Sequence, residues 1–126
     1  MGLVSGGFDF FVSDLRKQFG LDFSFSNTLQ VVNGVITGEV EGIIVDAERK
    51  AQILKDMCEA YQCPLEQSIA VGDGSNDVAM LKMAGLGIAY QAKQKAQAAA
   101  DVRFNHSQLS DILYLMGFHA DEISGI

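Results

Sequence analysis

Two aspartates, Asp73 and Asp77, stand four residues apart in Gly72-Asp73-Gly74-Ser75-Asn76-Asp77, between an apolar run and a helix-like pattern. Carboxylates held that close repel one another, and a metal ion or a lysine would relieve them. Asp73 follows the apolar run almost directly and should point from the end of a strand, as a Mg2+ ligand would. Asp77 begins the helical pattern, where capping and the helix dipole also favour an aspartate. The loop is not Gly-x-Gly-x-x-Gly, and it lacks the downstream glutamate of an EF-hand. Neither a dinucleotide nor a Ca2+ loop is therefore indicated.

Two upstream features have compatible chemistry. In Ser5-Gly6-Gly7 the glycines permit close backbone approach, and freed N–H groups with the Ser5 hydroxyl could bind an anion. The same residues could equally form a plain glycine turn with a serine cap. Lys50 shares a helical face with Leu54, Met57 and Tyr61 and lies near that helix's start. A cation there is disfavoured by a few tenths to about 1 kcal/mol, so an anion above the helix would account for it. A lysine snorkelling to water is the alternative.

The elements that must position these residues alternate. Leu3-Val4 reads as a strand stub, and Phe8, Phe11, Val12, Leu15 and Phe19 recur at helical spacing before Gly20. Phe23 and Phe25 alternate with polar residues as in a strand. Asn33-Gly34 predicts a β-hairpin over about 29–37, because both residues tolerate positive φ. Asp46 is an N-cap for a helix carrying Ile53, Leu54, Met57 and Tyr61, and Pro64 follows that helix. Ser68–Val71 and Leu86–Tyr90 read as buried strands, with a helix through Val78, Leu81 and Met83 between them. A helix over Lys93–Ala100, a strand near Val102–Phe104 and a last helix from about Ser107 complete the pattern. Such alternation predicts an α/β fold with a mostly parallel sheet, as one domain over 1–126.

Composition narrows the partners. A net charge of −7 argues against a broad nucleic-acid surface, while a local cationic pocket can still take a small anion. No apolar run approaches the roughly 20 residues of a membrane span, and no secretory leader is recognisable. Cys58 and Cys63 have poor zinc spacing and read as reduced thiols in a cytoplasmic setting. His106 and His119 read as surface or capping residues.

Val4-Ser5-Gly6-Gly7-Phe8, Asp46-Ala47-Glu48-Arg49-Lys50 and Gly72–Asp77 resemble motifs two, three and four of the haloacid dehalogenase (HAD) superfamily of phosphatases. Within it, the phosphoserine phosphatase family is the nearest. That resemblance continues through Phe25-Ser26-Asn27, Asn33-Gly34, Val45-Asp46-Ala47, Met80–Tyr90 and Asn105-His106. Ser75 stands where that family usually has alanine. The resemblance implies Mg2+-dependent hydrolysis of O-phosphoserine, the last step of serine biosynthesis. It implies that Ser5, Gly6 and Gly7 bind phosphoryl oxygens and that Lys50 neutralises the transferring group. Asp73 would ligate Mg2+, and Asp77 would hold a metal-bound water or Lys50. Asn76 and the Gly74 backbone would line the phosphate.

Motif one of that superfamily is Asp-x-Asp-x-Thr, and this sequence contains no Asp-x-Asp. The resemblance therefore implies the C-terminal part of a HAD-like Rossmannoid three-layer core, without motif one and the lid, and inactive alone. A catalytically dead phosphate-binding module and one half of a complementing pair are the alternatives. In either case a missing central strand would expose two strand edges, inviting self-association or pairing with an N-terminal segment.

Overall fold

The computed structural model describes residues 1–123. Strand β1 (Gly2–Phe8) leads directly into α1 (Asp9–Phe19). Gly20 ends that helix in the left-handed region at φ 62°, where a glycine carries no Cβ penalty. β2 (Phe23–Val32) and β3 (Val35–Glu41) then form the hairpin, with Asn33 at φ 52° and Gly34 at φ 78°. Both positive values are those of a type I′ turn, the reason Asn-Gly is favoured there.

Next comes α2 (Ala47–Ala60), capped by Asp46, whose carboxylate accepts from the Arg49 N–H at 2.8 Å. The remaining principal elements are β4 (Ile69–Gly72), α3 (Val78–Met83), β5 (Leu86–Tyr90), α4 (Gln94–Ala99) and β6 (Val102–Phe104). Short 3-10 turns cover Leu65–Gln67, Ser75–Asp77 and Leu109–Asp111, and α5 (Ile112–Leu115) and α6 (Ala120–Ile123) close the described chain.

The strands form two three-stranded sheets, one mixed and one parallel, where a mostly parallel sheet with a hairpin was expected. One is mixed, in the order β1-β2-β3, with β1 parallel and β3 antiparallel to β2. The other is parallel throughout, in the order β4-β5-β6. The tight hairpin forces β3 to run back along β2, and among the described residues no strand joins β1 to β4. β1 also runs through Ser5-Gly6-Gly7, so these residues belong to a strand rather than to a turn after a stub. A register irregularity between Val4 and Phe8 accommodates them.

The core lies around α2 and the second sheet. Ala51, Ala70, Met80, Leu81 and Ala96 form a buried cluster, with Leu54, Ala84, Ala92 and Ala100 packed against it. Ile53 and Leu81 are each only 1% exposed. On α1, by contrast, only Val12 is buried, while Phe10, Phe11 and Phe19 lie exposed.

Candidate active site

The site is assembled at the start of two helices. Asp46 caps α2, which sets Lys50 one turn in, facing α3 and the 3-10 turn Ser75–Asp77. The Lys50 Nζ donates to Asp77 Oδ1 at 2.7 Å, and the residues are 6% and 4% exposed respectively. The other Asp77 oxygen, Oδ2, accepts from the backbone N–H groups of Asp73 at 3.0 Å and Gly74 at 3.1 Å. The loop thus folds around its own carboxylate. Gly72 makes this possible, because a Cβ there would meet the Asp77 side chain at 2.5 Å.

Burial works to raise the Asp77 pKa, as removal from water penalises the charged form. The hydrogen bond from Lys50, the Gly74 and Asp73 amides and the Lys50 charge outweigh it, holding the carboxyl below its ordinary value. Lys50 and Asp77 form a buried salt bridge, with the second carboxylate oxygen satisfied by two backbone donors. Removal of one partner from such a pair costs far more than replacement of both.

Asp73 is exposed, its carbonyl accepts from the Lys93 N–H at 2.9 Å, and among the described residues its carboxylate has no hydrogen bond or ion pair. Ser75 and Asn76 are exposed as well. The structure therefore brings Lys50, Asp73, Gly74 and Asp77 together, although the Gly74 amide is turned inward onto Asp77.

Ser5, Gly6 and Gly7 reach this group indirectly. The Ser5 Oγ accepts from the Gly7 N–H at 3.0 Å, leaving the hydroxyl proton free to donate. Asn27, a buried residue of β2, donates from Nδ2 to the Gly6 carbonyl at 2.9 Å. Its Oδ1 accepts from the Val45 N–H at 2.7 Å, one residue before the Asp46 cap. A single amide thus ties the glycine segment to the entrance of the lysine-bearing helix. Reasoning from residue types gave Asn27 no role of its own, since one polar residue inside a strand has no distinctive spacing. The signals were its place in Phe25-Ser26-Asn27, within the family resemblance, and just before the hairpin, where a buried amide must find two partners.

With this geometry in place, comparison with known proteins is direct. The family model for haloacid dehalogenase-like hydrolases matches residues 8–113, and the chain belongs to that family. The chain is 46% identical, over 97% of its length, to the phosphoserine phosphatase SerB2 of Mycobacterium tuberculosis. It is 45% identical, over 98% of its length, to the phosphoserine phosphatase of Streptomyces coelicolor. A crystal structure of a phosphoserine phosphatase in apo form superposes on 90% of the chain with a TM-score of 0.85 and 41% identity. The chain spans 30% of each of those two curated relatives and 56% of that solved chain.

These likenesses correct the expectation of a truncated, inactive C-terminal remnant. Similarity to phosphoserine phosphatases runs through 97% and 98% of this chain in sequence and through 90% of it in structure. Among the described residues, no helix is long and apolar enough to cross a membrane.

Proposed function

We propose that this chain serves Mg2+-dependent hydrolysis of a phosphomonoester, with O-phosphoserine as substrate and serine and inorganic phosphate as products. The observation that carries this reading is the buried Lys50–Asp77 pair set beside the unpartnered carboxylate of Asp73. Phosphoryl transfer depends on positioning and on charge neutralisation, and these residue types supply both.

In this reading, Asp77 holds the Lys50 ammonium in one orientation, and Lys50 offers its positive charge to the phosphoryl oxygens. Ser5 donates its hydroxyl proton to a phosphoryl oxygen, and the Gly6-Gly7 backbone allows close approach. Asn76 borders the phosphate, as does the Gly74 backbone. Asp73 would hold Mg2+. Among the described residues no three His, Cys, Asp or Glu side chains gather into a cluster. A lone accessible carboxylate still fits this ion, which is commonly bound by one or two carboxylates with substrate phosphate oxygens and water. When bound, the ion supplies further neutralisation of phosphoryl charge. No Asp-x-Asp occurs in the chain, and the attack on phosphorus is assigned to none of these residues.

The reading extends to a cytoplasmic setting, to the closing step of serine biosynthesis and to a single domain. The outer edges of β1 and β4, each paired on one side only, support self-association. The deciding experiment is phosphate release from O-phosphoserine with Mg2+, by the protein and by its Lys50→Met variant. Release that exceeds a heat-inactivated control and is lost in the variant is expected. Equal release from protein and control, or full activity in the variant, would overturn the proposal.

A further inference from the structure

The C-terminus of α2 places two cysteines at positions that its capping geometry brings together. The Cys63 N–H donates to the Cys58 carbonyl at 2.8 Å, and the Gln62 N–H donates to the Glu59 carbonyl at 3.1 Å. Gln62 between them is left-handed, at φ 52°. These are the two bonds and the turn residue of a Schellman motif, in which the side chains at the positions now held by Cys58 and Cys63 come into contact. A disulfide needs Cα atoms about 4.4–6.8 Å apart. Residues joined by backbone N–H···O=C bonds meet that span, as opposed strand residues do at about 5.5 Å. Both thiols are free; Cys58 is buried, and Cys63 is partly open to solvent. Burial pushes the Cys58 thiol up, while Ser68 and Cys63 are the groups that act on it.

We propose that Cys58 and Cys63 form a reversible intramolecular disulfide that fastens the C-terminal cap of α2 under oxidising conditions. The accessible Cys63 thiolate attacks a peroxide oxygen, breaking the O–O bond and giving a sulfenic acid and hydroxide. Cys58, on losing its proton, attacks the Cys63 sulfur. The S–S bond forms, the S–O bond breaks, and hydroxide leaves to take up that proton as water. In total two thiols are oxidised and one peroxide is reduced to two waters. Eight residues of helix, about 12 Å, separate Cys58 from Lys50, so the fastening lies away from the phosphate side.

The test treats the folded protein with stoichiometric hydrogen peroxide, followed by thiol titration and mass spectrometry without reduction. Expected are loss of both thiols and a monomer lighter by two hydrogens. The change should lie in the tryptic peptide 56–82, which contains both cysteines, and dithiothreitol should reverse it. In a Cys58→Ser variant, Cys63 should instead be trapped as its sulfenic acid by dimedone. A disulfide-linked dimer, a sulfinic acid without the cross-link, or two thiols that survive until the chain is denatured would each overturn the proposal. None of these readouts depends on phosphatase activity.

Discussion

The two sheets use their apolar residues in opposite ways. Around the parallel sheet, α2, α3 and α4 bury Ile53, Met80, Leu81 and Ala96. Around the mixed sheet, α1 buries only Val12, Phe11 is 73% exposed, and every residue of β3 is exposed. Helical or alternating periodicity therefore marks a face without ensuring that anything covers it. The buried half carries Lys50 and the aspartate loop. The open half carries Ser5-Gly6-Gly7, and Asn27 joins the two.

The largest blow to this contrast should come from Lys50→Met, which strands a buried carboxylate. A loss of about 3–5 kcal/mol in urea unfolding is expected. Phosphate release should fall by about 10²–10³-fold, as on removal of one charge-stabilising donor. The double variant Lys50→Met/Asp77→Asn should regain much of the stability, and none of the activity. Leu81→Ala should cost about 2–5 kcal/mol, as cavities in close-packed cores do. If Val12→Ala, in the thinner layer, cost as much, the contrast would be wrong; removal of two methylene equivalents there predicts about 1.6 kcal/mol.

Acid should act on the same side of the molecule. Because the folded Asp77 pKa is depressed, its stabilising contribution is complete above the ordinary aspartate value near ~3.9. It is lost as pH falls from there through the depressed folded value. Asp77→Asn should flatten stability against pH in that acidic window, at a lower overall stability because Lys50 is left buried without its counter-charge. Acid unfolding followed by circular dichroism reads this directly. The smallest effects belong to exposed groups. Arg49→Ala, which breaks a 3.8 Å surface pair with Asp56 one residue along from Lys50, should change stability by less than about 0.5 kcal/mol. Phe11→Ser should do no more.

What could be read beforehand follows from how local each signal is. The hairpin was legible because Asn33-Gly34 meets a φ requirement few dipeptides satisfy. Helix α2 was legible because Asp46 and an apolar stripe mark its start and inner face, and Lys50 on that stripe pointed to a buried charge. The pairing of β1 with β2 was not legible. It joins Gly2 to Phe23 and Phe8 to Asn27, and nothing in Ser5-Gly6-Gly7 alone distinguishes a strand end from a turn. The split into two sheets was legible only through the resemblance, which implied a missing central strand and two exposed edges, since residue patterns alone carry no strand order. The inward turn of the Gly74 amide was equally hidden, because it depends on where Asp77 lies.

That inward turn has a thermodynamic consequence for binding. Asp77 holds the amides of Asp73 and Gly74, and the Lys93 N–H holds the Asp73 carbonyl, with no ligand required. The loop's conformational entropy is therefore surrendered during folding, not when a phosphate or a cation arrives. Association at this loop should proceed without a large ordering penalty, and its affinity should reflect charge and desolvation almost alone.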